Sequence, residues 1–245
     1  MPPAASHDEA ESTARPDGLD SLIEREHLPS GRDDLPQPLI EHSQRERILT
    51  AMARACAFKG FRAVTVADIV EPAGVSRATF YELFNDKDDC LQAAMELSVA
   101  DAMGRIVDVY SPDAPWATMV RGSASAFLDL LAGRPAFARL ALVEAPATGG
   151  RSYEMYASGK RVLQALLDRG RGAPIEEPAI PSSAGRGALA GAESLIVGQI
   201  IAGHTRRLTE LLPDIVYIVT VPYLGQGEAL HQAEEAERSR RPESA

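Results

Sequence analysis

The sequence predicts an all-α protein, with a three-helix helix-turn-helix domain near the N-terminus and a helical bundle after it. Three observations carry this. From Ser43 onward, apolar residues recur at three-to-four spacing in almost every segment. The breaks between segments hold Gly, Pro and the Ser, Thr, Asp and Asn residues that cap helices. The single β-branched run, Ile215 to Val221, has no second strand with which to pair.

Ser43 with Glu46 three residues on forms a capping box, and Ile48, Leu49, Met52, Ala55 and Cys56 line the helix behind it. Lys59-Gly60 ends that helix. Thr65 is the expected cap of a short helix over 66–72, with Asp68 in its first turn. Pro72-Ala73-Gly74 is a break, Ser76 caps a third helix over 77–84, and Asn85-Asp86 starts a fourth that runs towards Val109. Further helices are expected over 115–132, 135–145, 152–169 and 185–212, with a Pro-rich loop over 173–183. Pro213 beside Asp214 reads as a helix start, which assigns 213–224 to a helix.

Composition narrows the function classes. The chain has 245 residues, 45% hydrophobic and 24% charged, enough for a core and too apolar for wholesale disorder. No apolar run reaches the ~18–20 residues of a membrane span, and residues 1–30 lack the basic start and apolar stretch of a signal peptide. Cys56 and Cys90 are too few for a disulfide scaffold, which fits a reduced, cytoplasmic setting. The net charge of −10 sits mainly in two tails. Residues 1–40 hold nine acids and three bases, and residues 226–245 hold five and three. Residues 41–90 hold eight and seven, and residues 91–225 hold thirteen and twelve. The acidic total therefore does not exclude a nucleic-acid partner.

Four regions result: a disordered acidic Pro-rich arm over 1–40, the helix-turn-helix over 41–90, the bundle over 91–225, and a disordered tail over 226–245. The informative stretch is Thr65 to Lys87, two short helices joined at Gly74. Ile69, Val70, Ala73, Val75, Phe80 and Phe84 supply its core, which leaves Ser76, Arg77, Thr79 and Tyr81 on or beside the outer face. A helix fits the major groove, and its N-terminal residues reach base edges. Arg77 can donate two bonds to a guanine edge, Thr79 can read a base, and Tyr81 and Lys87 can reach phosphate. Thr65 at a helix N-terminus is a further phosphate contact. Arg45 and Arg47 are additional candidates, as is Arg32 in the arm.

Glycine-rich 185–191 lacks the preceding strand of a nucleotide loop, 74–78 lacks the closing glycine of a nucleophile elbow, and the five histidines are scattered. No enzyme, metal or cofactor is expected.

Residues 43–95 closely resemble the DNA-binding domain of TetR-type transcriptional regulators. The matching residues are Ile48-Leu49, Ala57, Gly60-Phe61, Thr65-Val66, Asp68-Ile69, Ala73 to Ser76, Thr79 to Tyr81, Phe84, Lys87 and Asp88. The resemblance implies an all-α homodimer whose C-terminal domain senses a ligand and dimerises. By position it makes Thr65, Ser76, Arg77, Thr79, Tyr81 and Lys87 the DNA contacts. One departure is that family members often place His before the Phe at 84, where this chain has Leu83 preceded by Glu82.

The C-terminal half has no motif as specific. Gly191, Leu195, Gly198 and Ala202 fall on one small-residue stripe, which with Tyr217 makes the expected dimer interface. Trp116, Phe127, Phe137, Met155 and Tyr156 are the expected lining of a small-molecule pocket. The expected function is a homodimeric repressor, released from a near-palindromic double-stranded operator by an effector. The alternative is a helical dimeric interaction module that binds no operator, which Glu82 and Leu83 keep open.

Overall fold

The computed structural model describes residues 37–109, 111, 113–172 and 180–240. Of the disordered arm expected over 1–40, residues 1–36 lie outside the described residues, as do Arg32 as a contact and residues 173–179 of the loop expected over 173–183; over 37–40 the expected disorder is corrected, because these residues open a helix. The chain divides into residues 1–40 and 41–245. Of the first unit only residues 37–40 are described, and they are helical. The second unit holds the helix-turn-helix and the bundle.

Among the described residues there are ten α-helices, joined by short 3-10 and π turns, and no strand. Helix α1 runs Gln37–Lys59. It begins ahead of Ser43, so Ser43 and Glu46 lie inside it and the expected capping box is corrected. Pro38, tolerated in a first turn because its missing N–H has no helical partner there, lets the helix start early. Ile48, Leu49, Met52 and Cys56 face inward. The Gly60 N–H closes the helix on the Cys56 carbonyl at 2.9 Å.

Helix α2 spans Ala67–Ala73 and helix α3 spans Arg77–Leu83. Gly74 between them has φ 62° and ψ 41°, a left-handed conformation that strains any residue with a Cβ. Arg47 of α1 donates to the Ala73 carbonyl at 2.8 Å and so closes the end of α2. Arg47 is thereby committed to the turn. Ser76 caps α3 by accepting the Thr79 N–H at 3.0 Å. Asp86 caps α4, Lys87–Asp108, by accepting the Asp89 N–H at 2.8 Å. One apolar cluster joins α1 to α4: Met52, Ile69, Phe80, Phe84, Leu91 and Met95 are all at its centre, together with Leu140 and Ala145 from further along the chain.

The second cluster lies among α5 (Trp116–Gly133), α6 (Pro135–Arg139), α8 (Gly150–Asp168), α9 (Ala184–Ile201) and α10 (Leu212–Arg240). A five-residue π turn, Leu140–Glu144, and the short α7, Ala145–Thr148, connect α6 to α8.

Two further expectations are corrected. The helix expected over 185–212 is broken. It stops at Gly203, φ 79°, where the His204 N–H reaches the Gln199 carbonyl at 2.9 Å. That is the six-to-one bond of a glycine C-cap, and only glycine enters it without strain. A 3-10 turn, Thr205–Leu211, then leads into α10. Second, the tail expected to be disordered from residue 226 is helical to Arg240, past a kink at Gly225. Ala229, Gln232 and Ala236, three and four residues apart, are buried. Arg121 of α5 donates to Gln232 at 2.6 Å and pairs with Glu235. The charged composition of this segment masked a narrow face of small residues that needs little apolar area to seat it.

The β-branched run 215–221 is helical, as its Pro213 start suggested. A window within Thr205–Arg240 has a mean hydropathy of 1.2, long and apolar enough by composition to cross a membrane. In the fold this segment packs against α5 and α9, with Leu212, Val216, Val219 and Tyr223 in the core.

Candidate DNA-binding face and effector cavity

Helix α3 is held by its inner side and presents its outer one. Phe80 is wholly buried, while Arg77, Ala78, Tyr81 and Glu82 are exposed. Arg77 has no side-chain partner among the described residues, so its guanidinium is free for an external acceptor. Tyr81 is 56% exposed and meets the Phe80 ring edge-on at 5.3 Å. Ser76 and Thr79 share a hydroxyl contact at 2.9 Å, which leaves each one further hydrogen-bonding position.

Thr65 and Lys87 sit differently from the simple expectation. The cap of α2 is Val66, and the Thr65 side chain donates instead, its hydroxyl to Asp68 at 2.6 Å and its N–H to the same oxygen at 2.7 Å. Asp68 also pairs with Lys59 at 2.6 Å. Lys59 and the Thr65 donors together hold this carboxyl well below the usual carboxylate range. Lys87 turns inward: its ammonium donates to the carbonyls of Val64 at 3.0 Å, Phe61 at 3.3 Å and Arg62 at 3.4 Å. It also lies over the Phe61 ring at 4.7 Å. Lys87 therefore fastens the turn before α2 to the start of α4.

This placement makes a specific prediction. Lys87→Met should lower stability by about 1.5–3 kcal/mol, the range for hydrogen bonds to a charged group. The salt dependence of DNA binding should stay unchanged, whereas loss of a phosphate contact lowers the slope by about one. Urea melts and DNA titrations at several salt concentrations would separate the two.

Arg45 lies over the Phe84 ring at 4.8 Å. Both cysteines are buried, and burial pushes each thiol up to about 12, so neither is a nucleophile at neutral pH.

The bundle encloses a cavity of about 180 Å³ among α4, α5, α6, α8, α9 and α10. Phe127, Phe137 and Tyr156 line it, as expected. Trp116 and Met155 do not. The Trp116 indole N–H is spent on the Leu166 carbonyl at 3.1 Å and its ring packs on Tyr223, so this residue is core. Met155 packs against the helix-turn-helix core instead.

The cavity wall is apolar except at a few points. Tyr156 donates to Glu193, and Lys160 pairs with the other oxygen of the same carboxylate. Arg134 pairs with Asp101. Burial works against the Lys160 charge, but Glu193 and Tyr156 outweigh it and raise its pKa; burial and then Glu193 raise that of Tyr156. Ser123 is only 5% exposed and its hydroxyl has no partner among the described residues. Glu193 and Ser123 carried no local signal, since Tyr156 and Lys160 are one helical turn apart but Glu193 lies on another helix.

A second unforeseen residue is Glu144, which ends the π turn. One oxygen accepts the Phe61 N–H at 3.2 Å and the other faces Arg139 at 3.4 Å. Ala141 and Leu142 of the same turn line the cavity. The turn thus reaches the cavity wall through Ala141 and Leu142 and the base of the helix-turn-helix through Leu140 and Glu144.

The expected interface stripe is open. Leu195 is 40% exposed, Gly198 and Ala202 are exposed, and Gly191 and Tyr217 are half-buried. Ile201 beside them is 61% exposed.

The model of the bacterial regulatory proteins of the tetR family matches residues 48–94. An uncharacterized HTH-type transcriptional regulator, YerO of Bacillus subtilis (strain 168), is 31% identical over 68 residues. That match covers 28% of this chain and 24% of YerO, so the chain spans about a quarter of the length of that curated relative. A crystal structure of a gamma-butyrolactone receptor (ArpA-like protein) superposes over 82% of this chain and all of that one, with a TM-score of 0.57 at 16% identity. The regulator FadR from Bacillus subtilis, in complex with stearoyl-CoA, superposes over 74% of this chain and 98% of that one, with a TM-score of 0.51 at 18% identity. These structural likenesses concern the fold. In motif, geometry and sequence, the helix-turn-helix over residues 48–94 is similar to the DNA-binding domain of the tetR family of bacterial regulatory proteins.

Proposed function

We propose that this chain is a sequence-specific transcriptional regulator, a homodimeric repressor that a small molecule releases from a near-palindromic operator. The observation that carries this is the free, exposed guanidinium of Arg77 at the N-terminal end of an outward-facing, capped helix. Arg77 reads guanine, Tyr81 and Ser76 reach backbone phosphate, and Thr79 touches a base edge. Thr65 and Lys87 act at the flank of this surface, where they set the pose of α2 and α3. A second copy joined through α9 and α10 would place two α3 helices one turn of DNA apart.

Release needs a ligand with different affinity for two conformers. The π turn supplies a route, because a ligand against Ala141 and Leu142 shifts the element that holds Phe61 through Glu144. That FadR is seen in complex with stearoyl-CoA, and that the other protein is a gamma-butyrolactone receptor, supports an effector role for this cavity.

Selection of genomic DNA fragments by the purified full chain is the test. A shared near-palindromic motif is expected, and none at low salt would overturn the proposal. Arg77→Ala should then cost about 1–3 kcal/mol of specific affinity, relaxing one operator position, with thermal stability unchanged. The exposed acid Glu82 on the same helix favours the second reading, a dimeric interaction module without an operator. An empty selection with an intact dimer would establish it.

A further inference from the structure

We propose that the bundle cavity takes an uncharged, mainly apolar molecule carrying one hydroxyl or carbonyl oxygen, which Ser123 receives. This rests on the reading of the cavity as the effector site. The charges around the cavity are already matched in pairs. Glu193 is the more buried partner of its pair, with 17% side-chain exposure, and both its oxygens are engaged, by Tyr156 and Lys160. An anionic ligand would have to draw Lys160 away and leave the Glu193 carboxylate uncompensated in an apolar wall. An amine would have to compete for Glu193, both of whose oxygens are already engaged. Leaving the largely buried Glu193 carboxylate without its cation is unfavourable. Arg134 and Asp101 are also paired, but nearer solvent, with 48% and 32% side-chain exposure, so this pair restricts the ligand less.

A neutral molecule disturbs neither pair. Its body replaces water against Phe127, Leu163, Ile196 and Ile215. Its single oxygen meets the hydroxyl of Ser123, a buried residue of the wall that lacks a partner among the described residues. The Ser123 hydroxyl lines the cavity and makes no bond within the described chain, so a ligand oxygen that pairs with it adds affinity and is selected at that point. The cavity, at about 180 Å³, exceeds the roughly 150 Å³ apolar cavity that accepts benzene, so the occupant is at least the size of one aromatic ring.

The test uses three probes of one chain length: 1-decanol, decanoate and decylamine, each below its micelle concentration. Binding to the full-length protein is read by calorimetry and by the fluorescence of Trp116, the single tryptophan, which packs beside the cavity wall. Decanol should bind one molecule per chain, about tenfold or more tighter than either ion. Ser123→Ala should weaken decanol by roughly three- to tenfold with no change in melting temperature. Glu193→Gln should reverse the preference towards decanoate, because it frees the Lys160 charge.

Decanoate or decylamine binding as tightly as decanol to the unaltered protein would overturn the charge inference while leaving the effector reading intact. Decanol affinity unchanged in Ser123→Ala would overturn the assignment of the oxygen. Binding of none of the three, with operator binding preserved, would overturn the effector reading and this inference with it.

Discussion

Phe80→Ala is expected to cost about 3–5 kcal/mol of unfolding free energy and to abolish DNA binding. The Phe80 side chain is wholly buried where α1, α2 and α4 meet, and its ring contacts Tyr81 at 5.3 Å and Phe84 at 5.6 Å. Removing it deletes a large apolar area and leaves a cavity between helices only seven residues long. Such short helices have little intrinsic stability and are held mainly by packing. Typical domains are stable by only about 5–15 kcal/mol, so this loss is a large share of the total. Urea denaturation followed by circular dichroism would measure it. A loss below about 1 kcal/mol would mean that α3 is not anchored through this ring. Arg77→Ala is the control, since it should remove operator affinity and leave the melt in place.

The second large effect is expected from Gly198→Glu. In the single chain the change is benign: a Cβ at Gly198 meets nothing within 4 Å, and glutamate is a better helix former than glycine. In the proposed two-fold interface it sets two carboxylates against a close-packed stripe and against each other. Like-charge juxtaposition in an interface costs several kcal/mol. A loss on the order of 3 kcal/mol would weaken the dimer roughly a hundredfold. Sedimentation equilibrium should show a folded monomer at micromolar concentration, and operator affinity should fall with it. Retention of the dimer would place the interface elsewhere on the bundle.

The helix-turn-helix was legible because its signals are local. Gly74, Ser76, Asp86 and the spacing of Ile69, Phe80 and Phe84 each act within a few residues, through backbone conformation, capping and one-sided burial. The roles of individual side chains were less so. Lys87 suits a phosphate contact by type and position, yet three carbonyls from a segment more than twenty residues earlier in the chain draw its ammonium inward. Thr65 reads as a cap, but Asp68 takes both of its donors and Lys59 keeps Asp68 ionised.

The pocket residues divided for a similar reason. Aromatic type and helical spacing selected Trp116 with Phe127 and Phe137, but the Leu166 carbonyl holds the Trp116 indole in the core. The helical tail was masked because its charged residues dominate the composition while Ala229, Gln232 and Ala236 do the packing.

What the sequence determined by itself was the all-α class, the helix-turn-helix and the outward set of residues on α3, since these follow from periodicity, caps and one glycine turn. Only the tertiary structure decided which polar groups are spent on the protein and which remain for a ligand. Glu193 meets Tyr156 and Lys160, Glu144 meets Phe61, and Ser123 meets no described partner because helices far apart in the chain converge on one cavity. Side-chain pairing of that kind depends on helix placement, which no short-range pattern in the sequence encodes.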